Sequence, residues 1–152
     1  MISARLSSVK ELLETLKCEV EVRHSEDGMI ALLVSDLSVG HEYHILEDTF
    51  ILSVDFLSPE TYYLDSPERK VQFFSFINDR NLDEALIKLT VFQPDERTGR
   101  VTFSASYTGD FDKDRFVQFY MTYQRNIEEF VANWTEDMKI FTTPSDAKTL
   151  FV

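Results

Sequence analysis

Phe76-Ile77-Asn78-Asp79-Arg80-Asn81 closes an aromatic helix with two asparagines three residues apart and hands the chain to the alternating strand Leu86 to Phe92. Ser66 as N-cap and Pro67 at the first helical position open that helix, which the pattern carries to about Asn78. Its apolar residues, Val71, Phe73, Phe74, Phe76 and Ile77, spread over roughly 220° of a helical wheel, about twice the stripe that one buried face requires. Such a helix is either sandwiched or covered by another chain. Asparagine tolerates the left-handed conformation that ends helices, and its amide satisfies loose backbone groups where a strand begins. Asn78 and Asn81 therefore read as a structural motif at the helix–strand junction.

Downstream, Leu86 to Phe92 and Arg100 to Tyr107 form a hairpin around Pro94 to Gly99. Val101, Phe103, Ala105 and Tyr107 point one way and Arg100, Thr102, Ser104 and Ser106 the other, so the sheet has a dry and a wetter face. A long helix follows, about Asp112 to Trp134. Phe116, Phe119, Tyr120, Tyr123, Ile127, Phe130, Val131 and Trp134 fit an arc of roughly 120°, as for a helix lying across a sheet. Upstream, Ser8 and Glu11 have capping-box spacing, and Leu6, Val9, Leu12, Leu13 and Leu16 share a face, which predicts a helix over 8–17. The period then changes to two. Val20 and Val22 alternate with charged residues, Asp27-Gly28 is a hairpin signal before Met29 to Val34, and Tyr43 to Leu46 and Thr49 to Leu57 follow. That makes three strands, with room for a fourth. The order α-β-β-β-α-β-β-α with hairpin links implies an α+β fold, an antiparallel sheet with helices packed on it. Residues 1–135 read as one domain and 136–152 as a C-terminal tail, whose Leu150-Phe151-Val152 is expected to fold onto its own domain or another subunit.

The bulk properties narrow the function classes. At 152 residues the chain suits a single domain that buries about two thirds of its unfolded surface. Lys and Arg total 15 against 27 Asp and Glu, a net charge of −12 that repels phosphate backbones and anionic lipid. Neither nucleic acid nor membrane is expected as a partner. The single cysteine, Cys18, forms no internal disulfide, which points to a cytoplasmic setting, and it has no obvious activating base to make it a reactive thiol.

Constellations with chemical meaning fail on spacing. Asp110-Phe111-Asp112-Lys113-Asp114 begins like a calcium loop, but Arg115 and Met121 stand where glycine and a bidentate glutamate are needed. The aspartates suit a helix N-terminus instead. His41-Glu42-Tyr43-His44 is one residue short of a zinc helix motif, and on a strand the two imidazoles face opposite ways. No nucleophile elbow or phosphate-cradling glycine loop occurs, and the paired carboxylates sit at turns and helix ends. The expectation is no catalytic residue, no cofactor and no metal.

Asn78-x-x-Asn81, followed by an alternating strand, a short acidic loop, a second strand and a long amphipathic helix, resembles the YbjN-like bacterial proteins, described as candidate sensory transduction regulators. The element order is also similar to type III secretion chaperones, small acidic homodimers. The resemblance covers about residues 7–135. It implies a non-catalytic cytoplasmic protein that binds another protein, a homodimeric chaperone or regulator, with Phe73 and Phe76 as candidates for the partner or dimer surface. The alternatives are a small-molecule sensor with a pocket lined by Phe103, Tyr107, Tyr120 and Tyr123, and an enzyme whose groups assemble only in three dimensions.

Overall fold

A computed structural model describes residues 2–49 and 51–145. The elements run α1 (Ala4–Thr15), β1 (Glu19–His24), β2 (Ile30–Ser35), β3 (Glu42–Asp48), β4 (Ile51–Leu57), β5 (Tyr62–Tyr63), α2 (Pro67–Asp83), β6 (Ile87–Phe92), β7 (Thr98–Thr108), α3 (Lys113–Asp137) and a 3-10 helix (Lys139–Thr142). The seven strands form one sheet in the order β1-β2-β3-β4-β7-β5, with β6 also paired to β7. Helix, strand run, helix, strand pair, helix is the expected α+β order. The first run holds four full strands, and the two-residue β5 carries no signal of its own in the sequence.

The described residues fall into two compact units: those within 2–56 together with 105–128, and 57–104 together with 129–145. In the first, β1 to β4 are a meander whose registers set Val20 against Val34, Val34 against Tyr43, and Ile45 against Val54. Leu32, Val34, Tyr43, Ile45, Leu52 and Val54 are all buried on one face, as period-two alternation requires. Leu6, Val9, Leu12 and Leu13 of α1 and Phe116, Tyr120, Tyr123 and Ile127 of α3 are buried in the same unit.

Helix α1 starts earlier than its capping-box signal suggests. The N-cap is Ser3, whose hydroxyl accepts from the Leu6 amide at 3.0 Å. Ser8 lies inside the helix, donating to the Ala4 carbonyl. Two serines carry the same cap chemistry, and burial of Leu6 brings the first turn into the helix. The helix ends in a Schellman turn: the Cys18 amide donates to the Leu13 carbonyl at 3.0 Å and the Lys17 amide to that of Glu14 at 3.1 Å. Lys17 takes the left-handed conformation, φ 71°, at the position glycine usually fills.

In the second unit, Ser66 caps α2 as expected, accepting from the Arg69 amide, with Pro67 in the first turn. The helix then runs past Asn78 to Asp83. Tyr62, Phe73, Val101, Phe103, Phe130, Trp134, Met138 and Phe141 form its core. The Trp134 indole N–H donates to the Tyr62 hydroxyl at 3.1 Å. The expected tail boundary moves accordingly. Residues 136–145 continue α3 and add the 3-10 helix, because Met138 and Phe141 are needed to close this core. Leu150-Phe151-Val152 lies outside the described residues.

Arg69 holds that closing segment in place. Its guanidinium donates to the carbonyls of Tyr63 (3.1 Å), Ile140 (3.1 Å) and Thr143 (2.7 Å), and lies 5.7 Å from the centre of the Phe141 ring. Asp65, 3.8 Å from Arg69, accepts from the Ser145 amide and hydroxyl at 2.9 and 2.6 Å. Periodicity gives no hint of this clasp, since an arginine in a helix ordinarily reads as solvated.

Candidate interaction surface

The apolar excess of α2 divides between two faces. Phe73 and Ile77 are buried, and the Phe73 ring meets Tyr62, Trp134 and Phe141 at centroid distances of 5.2, 5.8 and 5.3 Å. Phe73 is therefore core and offers no surface to a partner, contrary to the sequence expectation. Chain beyond Trp134, absent from the expected fold, supplies the ring that covers it. Phe76 remains 42% exposed, its ring 6.4 Å from that of Phe141.

Val71 is 71% exposed, Phe74 40% and Leu82 78%. At 100° per residue these three and the exposed Asn78 lie within roughly 80° of one another. They form a continuous outward stripe with one amide in its middle. The sequence signal was present in the width of the apolar arc. What it could not say was which residues of the arc faced out.

The two asparagines part company as well. Asn78 sits on the outward stripe. Asn81, in the last turn of α2, turns its side chain to β6: its amide nitrogen donates to the Leu89 carbonyl at 3.0 Å, and its amide oxygen accepts from the Leu89 N–H at 2.7 Å. Lys88 in turn donates to the carbonyls of Asn81 and Glu84, satisfying the end of α2.

The four aromatic residues named for a ligand pocket are each withdrawn from solvent. Phe103, Tyr107, Tyr120 and Tyr123 are all buried. The Tyr107 ring is 5.3 Å from Phe116 in edge-on contact, and the Arg115 guanidinium lies 4.5 Å from its centre. The open recesses lie elsewhere. One of about 590 Å³ is lined by Tyr63, Asp65, Asp95, Glu96, Arg97, Thr98 and Pro144. Two of its carboxylates are already engaged, Asp65 by Ser145 and Asp95 by the amides of Arg97 and Thr98.

A polar cluster in the first unit shows what its titratable groups do. Asp36 accepts from the Tyr120 hydroxyl (2.7 Å), Gln124 (2.5 Å) and both the amide and hydroxyl of Ser38. Burial pushes this carboxyl up, but the bonds from Ser38 and Gln124 outweigh it and hold it below its ordinary value. The Tyr120 hydroxyl also bonds that of Tyr43 and lies 3.7 Å from the Cys18 sulfur. Burial, reinforced by Asp36, pushes the Cys18 thiol up to about 12. A thiol so protonated is a poor nucleophile. His41 stacks on Phe56 at 3.8 Å, and burial lowers its pKa against the opposing pull of Glu128. His44 is exposed on the other face. Asp112 accepts from the Arg115 amide at the start of α3. Among the described residues, no three His, Cys, Asp or Glu side chains gather as a metal site, and no helix is long and apolar enough to cross a membrane.

A solved structure shares this fold. It is YbjN from E. coli, described as a candidate transcription regulator, which aligns with a TM-score of 0.60 over 82% of this chain and 86% of its own at 12% identity. No family model matches the chain, and no curated protein matches it by sequence. At this identity the likeness is one of fold alone.

Proposed function

We propose that the chain is a non-catalytic protein-binding module, a homodimeric chaperone-like or regulatory protein whose contact surface is the outward stripe of α2. The observation that carries this is the exposure of Val71, Phe74 and Leu82 on one face of a helix whose opposite face already fills a core. Contiguous apolar exposure of this kind marks interaction sites. An asparagine at the centre of such a stripe fits a paired-helix contact, where one polar residue sets register at some cost in stability. The fold shared with YbjN supports a regulatory role. The lone buried thiol favours a cytoplasmic setting.

The test is the oligomeric mass of the purified chain by light scattering, wild type against a Val71→Glu/Leu82→Glu double variant. Both positions are exposed, so the variant retains its fold by circular dichroism. The expected result is a dimer for the wild type and a monomer for the variant. A monomeric wild type removes the dimer. Co-purification of the same protein partner by both forms removes α2 as its docking surface.

A further inference from the structure

We infer that Asn81 is an edge-blocking residue: its side-chain amide occupies the strand-pairing position on the outer edge of β6 and keeps that edge from pairing with β6 of a second copy. The bonds to Leu89 are the two that a residue of a neighbouring strand would make, one accepted and one donated, at 2.7 and 3.0 Å. A primary amide carries the same donor and acceptor as a peptide unit, and asparagine is short enough to present both from the last turn of a helix. In a strand, backbone groups alternate between the two edges. Because the Leu89 groups turn to α2, those of Ile87 and Val91 share that edge, while Lys88 and Thr90 face β7.

The edge needs such a guard. Ile87-Lys88-Leu89-Thr90-Val91-Phe92 is rich in β-branched and aromatic residues and holds one charge, and Phe92 is largely exposed. An edge strand of this composition is a template for another chain, and proteins blunt such edges explicitly. Identical strands pair antiparallel about a two-fold axis, so the occupant is a second copy of β6. This accounts for the asparagine of the sequence motif that lies away from the α2 stripe, and it does not depend on the α2 contact.

The test combines amide hydrogen exchange with light scattering on Asn81→Ala. The expected result is exchange of the Leu89 amide about tenfold faster with Thr90 unchanged at a dilution where the variant is monomeric, and at higher concentration a mass above that of the wild type. Adding Val91→Pro, which removes an outward N–H, returns the mass to the wild-type value. Ile77→Val, a comparable loss of packing in α2, serves as control. If Asn81→Ala does not fold, Asn81→Asp replaces it: the carboxylate still accepts from the Leu89 N–H but cannot donate to its carbonyl. Unchanged Leu89 protection in the dilute monomer, an unchanged mass at the higher concentration, or an equal rise in the Ile77→Val control each overturns the inference.

Discussion

Lys17 shows how a single backbone angle stores free energy at a visible place. Its φ of 71° costs a side-chain-bearing residue about 1 kcal/mol, and the Schellman bonds of Cys18 and Lys17 hold it there. Lys17→Gly is expected to raise the unfolding free energy by about 1 kcal/mol, read as a higher denaturant midpoint at unchanged slope. Asp36 is the opposite case, a residue whose loss leaves others stranded. Asp36→Ala takes the acceptor from Tyr120, Gln124 and Ser38, and the expected cost is about 2 kcal/mol. His41 carries a sign that can be checked. Its folded pKa lies below the ordinary 6.5, so its neutral form is favoured and its contribution is complete above that value. Stability is then lost as pH falls from 6.5 towards the folded pKa, where the unfolded chain binds the extra proton. His41→Phe keeps the stack on Phe56 and is expected to flatten the melting temperature across that window in a pH series.

At the scale of elements, the clasp of Arg69 on the closing segment is the contact least visible in the sequence. Arg69→Met keeps an apolar stem but loses the guanidinium over Phe141, and it leaves the carbonyls of Tyr63, Ile140 and Thr143 without their donor and Asp65 without its ion-pair partner. The expected loss is about 3 kcal/mol, with faster amide exchange across residues 139–145. An effect confined to α2 itself would show that the segment is held by Phe141 packing alone. The α2 helix illustrates the limit of a helical wheel. Wheel geometry showed that its apolar arc was too wide for one face, and the arc divides between a buried face and an exposed one. It could not assign Phe73 inward and Phe74 outward, because that depends on Tyr62, Trp134 and Phe141, far away in sequence. Likewise Asn78 and Asn81 are the same residue three positions apart, and only the approach of β6 tells them apart.

For the molecule as a whole, the charge of −12 opposes any association between copies. Two such surfaces repel over a Debye length, which shrinks from about 10 Å at 0.1 M salt to about 3 Å at 1 M. If copies associate through the α2 stripe, added sodium chloride is expected to tighten the contact, since apolar burial is insensitive to screening while repulsion is not. Sedimentation at rising salt reads this directly. Weakening with salt would mean that ion pairs hold the contact and would set the stripe aside.

Much of the architecture was legible because period and punctuation are local properties. The alternation of β1 to β4 and of β7, the cap at Ser66 and the single-faced pattern of α3 each follow from residues a few positions apart. The chain by itself thus determined the α+β order, the dry face of the sheet, and the absence of a recognised catalytic motif. Tertiary structure alone decided that Ser3 rather than Ser8 caps α1, that residues 136–145 close a core, and that Phe73 is covered while Val71 and Leu82 are not. The physical reason is common to all three: burial and hydrogen bonding between segments far apart in sequence select among local options that are nearly equal in energy.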